Sequence, residues 1–298
     1  VAGGTTTFTQ DSFATNIYSG TGSAQTITNG LDLSTDGGLV WIKWRSGALG
    51  SSNHAFYDTE RGVNEILYSD TTGAEATAAD SLTAFNSNGF TLGADSAYGR
   101  VNYNGTNQVA WSFKKKAKFF DIVTYTGTGV AGLNVSHSLG VEPHMVWVKR
   151  TDGTGSWRVY NKDLGNTKCL RLNQTNESLT GPYWNDTTPT ASVFTVGTGG
   201  DVNLSGGTYV AYLFAHDTAS DSRIKCGSYT GNGSTAGPEI NLGFEPQWVM
   251  IKRTDADNAD AWPIHDTMRG IASGGADPFL LASSSAAENS ISVIDVTS

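Results

Sequence analysis

Charge is sparse in this chain: 16% of its 298 residues are charged, against the ~25% of an ordinary soluble domain. Helical bundles and coiled coils draw on Ala, Glu, Lys, Leu and Arg, so this composition argues against both. Of the charges present, 28 are acidic and 19 basic, a net charge of −9. That sign opposes a primary nucleic-acid role, because phosphate affinity needs clustered cations. Two cysteines, Cys169 and Cys226, are too few for a disulfide framework, and neither sits in a C-x-x-C pattern. No apolar run approaches the ~20 residues of a membrane span. Catalytic signatures are missing too. There is no G-x-S-x-G, H-E-x-x-H, P-loop or strand-of-acids E-x-D-x-E. The five His residues lack metal-ligand spacing. These readings imply a non-enzyme without cofactor.

What the chain has is glycine, aromatics and repetition. Its 36 glycines are well above the usual ~7%, and eight Trp, eleven Tyr and twelve Phe supply a core. The segment Leu139-Gly-Val-Glu-Pro-His-Met-Val-Trp-Val-Lys-Arg-Thr-Asp152 nearly recurs as Leu242-Gly-Phe-Glu-Pro-Gln-Trp-Val-Met-Ile-Lys-Arg-Thr-Asp255. Tyr125-Thr-Gly-Thr-Gly129 recurs as Tyr229-Thr-Gly-Asn-Gly233, and Tyr18-Ser-Gly-Thr-Gly22 is an earlier copy. Val109-Ala-Trp-Ser-Phe113 matches Val210-Ala-Tyr-Leu-Phe214. A common order of anchors at one period of a little over a hundred residues marks tandem units. The period divides the chain into an N-terminal segment, 1–12, and three repeats, 13–118, 119–221 and 222–298.

Each unit reads as short strands. In the second repeat, Phe119–Thr126, His144–Arg150, Trp157–Asn161, Lys168–Asn173, Ser192–Val196 and Thr208–Ala215 are rich in aromatic and β-branched residues. They are bounded by Gly, Asn, Asp, Thr and Pro. Alternation puts Val146 and Val148 on one face and Trp147 and Lys149 on the other. The fold class is therefore all-β, with tandem antiparallel β-sandwiches strung end to end. One helix candidate spans Ala74–Phe85. The third repeat stops short of the closing strand that Val109–Phe113 and Tyr209–Phe214 supply to the others. The expectation is a chain that continues past Ser298, or a strand donated by residues 1–17 or by a neighbouring chain.

Recurring polar residues supply the site candidates. Asp58-x-x-Arg61-Gly62 and Asp266-x-x-Arg269-Gly270 read as a strand ending in an Asx-type turn, with Arg paired to Asp and Gly at positive φ. Glu75, Glu177 and Glu288 recur after polar stretches. Asp255, Asp257 and Asp260 form an acidic loop with the oxygen ligands a calcium ion would take. Trp157, Tyr183, Trp184 and Trp262 lie beside loop-like stretches, where rings stack on sugar faces; tandem sites gain by avidity on a polymeric glycan.

The run Val40-Trp-Ile-Lys43, Phe56-Tyr-Asp-Thr-Glu-Arg-Gly62, Gly73-Ala-Glu75, Asp80-Ser-Leu82, Phe85-Asn-Ser-Asn-Gly-Phe-Thr-Leu-Gly93 and Val109-Ala-Trp111 resembles a repeat common in virion proteins of marine tailed bacteriophages, cyanophages especially. The resemblance covers the chain from about Tyr18. It implies concanavalin-like jelly-roll sandwiches on the virion surface, as tail-fibre, capsid-fibre or decoration components. The partners it implies are other virion proteins, further copies in a homo-oligomer, with a trimer favoured, and a host-surface glycan, without nucleic acid or membrane insertion. It brings no catalytic residues. A secreted bacterial carbohydrate-binding array or adhesin is the reading from a different class.

Overall fold

The computed structural model describes residues 11–95, 100–217, 223–255, 260–271 and 275–296. The first repeat holds β1 (Phe13–Ser19), β2 (Gln25–Ile27), β3 (Gly38–Gly47), β4 (Ala55–Asp58), β5 (Glu65–Tyr68), β6 (Ala76–Thr77), β7 (Leu82–Asn86), β8 (Gly89–Leu92) and β9 (Thr106–Lys114). The second holds β10 (Phe120–Thr126), β11 (Leu133–Ser136), β12 (Met145–Arg150), β13 (Arg158–Asn161), β14 (Lys168–Arg171), β15 (Leu179–Thr180), β16 (Val193–Val196) and β17 (Thr208–Phe214). The third holds β18 (Trp248–Met250), β19 (Pro263–Asp266), β20 (Asp277–Leu281) and β21 (Asn289–Ile291). The fold is all-β and antiparallel. The expected helix at 74–85 is instead β6 and the start of β7, so tertiary pairing overrides the local Ala/Leu spacing.

Each repeat builds its own main sheet in the same order. These are β1-β9-β3-β4-β5-β6, β10-β17-β12-β13-β14-β15 and, with its first two positions unfilled among the described residues, β18-β19-β20-β21. A second layer, β2-β8-β7 or β11-β16, covers the first two sheets. Successive side chains on a strand point to opposite faces, and here both faces are dry. In β3, Val40 and Ile42 enter the sandwich interior of the first repeat. Leu39 and Trp41, on the other face, enter a different cluster. In the second repeat, Val146, Val148, Ala211 and Leu213 line the sandwich, while Trp147, Val210, Tyr212 and Phe214 face the other way. Burial on both faces explains why β3 and β17 read as nearly unbroken apolar runs.

That outward-facing cluster corrects the end-to-end arrangement. It contains Trp41 and Trp111 from the first repeat, Trp147 and Tyr212 from the second, and Trp262 and Leu280 from the third. Trp41 lies 5.1 Å from Trp111, 5.9 Å from Trp147 and 6.3 Å from Trp248, ring centre to ring centre. The three main sheets therefore back onto one another around a common aromatic centre. The molecule has sandwich interiors of its own in the first two repeats and one core shared by all three.

Candidate functional site

Several buried ionisable side chains lie at the seams between repeats. At the end of β4, Asp58 is fully buried. Its Oδ1 accepts the Arg61 backbone N–H at 3.0 Å, and its Oδ2 takes the Arg61 Nε–H at 2.6 Å. Arg61 also donates to Glu75 and to the Phe56 carbonyl. The third repeat repeats this bond for bond: Asp266 holds the Arg269 N–H at 2.9 Å and Nε at 2.6 Å, and Arg269 reaches Glu288 and the Ile264 carbonyl. Gly62 and Gly270 close the turns at φ 98° and 116°, a region that a side chain rarely enters. The turn motif thus has the Asp–Arg pairing its sequence suggests.

Its second task was not legible. The Tyr212 hydroxyl, from the second repeat, donates to Asp58 Oδ2 at 2.7 Å. The Trp111 indole N–H, from the first repeat, donates to Asp266 Oδ2 at 2.9 Å. Trp111 and Tyr212 occupy the same place in their closing strands. Each closing strand therefore pins the turn of the preceding repeat, counting the third as preceding the first. Burial raises the Tyr212 hydroxyl well above the usual tyrosine range, so it remains a donor.

Three lysines at equivalent strand positions act in the same direction. Lys149 Nζ donates to Thr72 O in the first repeat, and Lys252 Nζ to Thr175 O in the second. Lys43 Nζ donates to Ser285 O and Ala286 O in the third. Backbone bonds follow the pattern: Glu75 N to Thr151 O, Ser178 N to Thr254 O and Glu288 N to Arg45 O. Every pair of repeats is joined, so the three close into a pseudo-threefold ring. The sequence signal for the lysines was a charge recurring on the Trp41 and Trp147 face of an apolar strand.

Burial pushes the Lys43 and Lys149 ammonium groups down to about 8, while an unfolded lysine titrates near ~10.4. Between those values the unfolded chain binds more protons than the folded one, so stability rises with pH. Below the folded value the desolvation cost is present in full. We expect urea midpoints to rise from pH 8 towards pH 10, and Lys149→Met to flatten part of that rise. An unchanged slope in the variant would contradict the assignment.

The glycan candidates sit elsewhere than expected. Trp157 is 0% and Trp262 2% exposed. Their indole N–H groups donate across the seams to Tyr68 O and to Arg171 O. Trp184, 2% exposed, lies in the second sandwich and donates to Lys168 O. None of these three offers a ring face to a sugar. Tyr183 is half-buried with the Arg158 guanidinium 4.1 Å from its ring centre. In the acidic loop, Asp255 Oδ1 lies 2.9 Å from Arg253 Nε, and Asp260 lies 3.5 Å from the same guanidinium. Both therefore face a cation, and Asp257 lies outside the described residues. Cys169 and Cys226 are free thiols. A cleft of about 420 Å³ at the seam of the first and third repeats is lined by Phe13, Asn16, Gln247 and Met268, with Asp11 its one ionisable lining residue.

A family model described as a domain of unknown function, DUF7483, matches residues 9–298. The chain belongs to that family. No curated protein and no solved structure matches it. The DUF7483 match runs unbroken through all three repeats, as does the shared core.

In this DUF7483 chain the third repeat differs most from its neighbours. β3 and β12 each pair on both sides, whereas β18 pairs with β19 alone among the described residues. Trp248, Val249 and Met250 are half-buried, although their counterparts Leu39, Val40 and Trp41 are fully buried. The expected donation by residues 1–17 does not take place through their described strand, since Phe13–Ser19 pairs with β9.

Proposed function

We propose that this protein is a non-enzymatic structural component of a bacteriophage virion, a surface building block of a tail fibre, a capsid fibre or a decoration. The observation that carries the reading is where six of the buried ionisable side chains go. Lys43, Lys149, Arg61, Arg269, Asp58 and Asp266 are engaged in turns and in bonds between repeats. Buried charges at a catalytic centre would be held against a substrate cleft; here they lock one sheet to the next. A closed ring of three repeats resists local opening, which suits a particle exposed outside the cell. The motif resemblance supports the place on a virion and a concanavalin-like topology for each sandwich. The ring brings threefold pseudo-symmetry within one chain, so a fibre or vertex of that symmetry needs one copy where single-repeat proteins need three.

Immunogold electron microscopy tests the reading. Antibody raised against the purified chain is expected to decorate tailed particles from the culture that carries the gene. Label on bacterial cell surfaces, with bare particles, would overturn the proposal in favour of a secreted adhesin.

A further inference from the structure

We propose that the seam between the third and first repeats is a pH-operated joint: uptake of a proton by His54 parts these two repeats and opens the ring, while the other two seams hold. This inference stands on a comparison of the three seams and not on the virion reading.

Each seam is plugged by one ring at an equivalent position, just ahead of β4, β13 or β19. In two seams the ring is an indole. Trp157 donates to Tyr68 O at 2.8 Å, and Trp262 donates to Arg171 O at 3.0 Å and to Gln174 O at 3.2 Å. In the remaining seam it is the imidazole of His54, which is fully buried. His54 faces the backbone of Leu281 and Ser284, the counterparts of Arg171 and Gln174. An indole has no nitrogen that titrates near neutral pH, and an imidazole has. This seam also joins repeats that are not consecutive in the chain, so no direct linker backs its contacts. Among those contacts, Lys43 Nζ donates to Ser285 O and Ala286 O, Ser52 N to Ser285 O, and Ser69 Oγ to Ala282 O.

The closed seam has no room for a second proton on His54. Nδ1 accepts the Trp41 indole N–H at 2.9 Å, so the proton of the neutral ring sits on Nε2. A proton added at Nδ1 would set two N–H groups against each other, and one of them must move. The surrounding charges work the same way. Lys43 on β3 and Arg269 in the turn after β19 both oppose a positive imidazole. Asp70, after β5, takes the His54 backbone N–H at 3.1 Å, and burial holds its carboxyl up to about 6, so its charge fades over the same range. Asp266 is paired with Arg269, and Glu288 with Arg45 and Arg269. β9 presents the uncharged Trp111 ring, 6.5 Å away and stacked. Burial first, and then the Lys43 ammonium, hold the imidazole well below its usual range. A solvated imidazole titrates near ~6.5. Below that pH the open seam binds a proton that the closed seam excludes, so acid favours opening; above it the two states bind alike and the seam stays shut.

Amide hydrogen exchange of the intact chain, read by mass spectrometry at pH 7.5 and pH 5 and corrected for intrinsic rates, tests this. Segments 50–54 and 284–290 carry the Ser52 and Glu288 amides that cross this seam, and their protection should fall about tenfold or more at the lower pH. Segments 73–78 and 176–180 carry the Glu75 and Ser178 amides of the other two seams, and theirs should fall by about threefold at most. His54→Gln keeps an acceptor for Trp41 and an N–H donor without a titratable nitrogen, and it should abolish the difference between seams. His54→Trp, which copies the other two seams, should do the same. Equal loss at all three seams, no loss at this one, or a selective loss that persists in either folded variant would overturn the proposal.

Discussion

Replacing Asp266 by Ala is expected to lower the unfolding free energy by about 3–5 kcal/mol, the usual cost of stripping one partner from a buried ion pair. Asp266 and Arg269 are both 0% exposed in their side chains. The carboxylate takes the Arg269 backbone N–H, the Arg269 Nε–H and the Trp111 indole N–H. The alanine variant leaves a buried guanidinium with its other partner, Glu288, shared with Arg45. It also cuts a bond between the first and third repeats.

The second repeat shows how the same turn works without that charge. Asn161 and Leu164 stand where Asp266 and Arg269 stand, and Asn161 Oδ1 still accepts a turn N–H, that of Asp163. Leu164 packs against the shared core. The double variant Asp266→Asn with Arg269→Leu therefore removes both charges together and keeps an acceptor for Trp111. Arg45 retains Glu288. Its cost is expected to fall short of the sum of Arg269→Leu and Asp266→Asn by a coupling of about 0.5–3 kcal/mol, as seen for contacting residues. Urea unfolding of the singles and the double measures this; additive losses would show that the pair is not acting as one unit.

Trp41→Ala is expected to cost a similar ~3–5 kcal/mol, for a different reason and with a different reach. The ring is 0% exposed and touches Trp111, Trp147, Trp248 and Phe56. Its N–H also donates to His54 Nδ1 at 2.9 Å. A cavity there opens at the meeting point of all three repeats. The melting temperature is expected to fall for the chain as a whole, in near-ultraviolet dichroism and in exchange protection of the second repeat alike. Met250, at the same place in β18, is half-buried, and Met250→Ala should cost clearly less. Loss confined to the first repeat would contradict a common core.

Much of the second repeat was legible in sequence. The periods located β12, β13, β16 and β17 to within a residue at either end, because their aromatic and β-branched runs end in Gly, Asn and Pro turns. The Asp–x–x–Arg–Gly turn was readable for the same local reason. β11 and β15 escaped because four and two residues carry too little pattern. The ring escaped for a deeper reason. A repeat states how often a unit recurs along the chain and not the angle between units. Trp157 and Trp262 beside polar loops look solvent-facing until the neighbouring repeat is brought against them. Lys43 and Lys149 sat on the apolar face in plain view, yet the acceptors they reach in the neighbouring repeats lie 77 or more residues away.

The central claim is that three repeats share one core and unfold together. Differential scanning calorimetry of the intact chain tests it most directly. A single transition is predicted, with calorimetric and van't Hoff enthalpies equal. Two or three separable transitions, each matching one repeat, would contradict it.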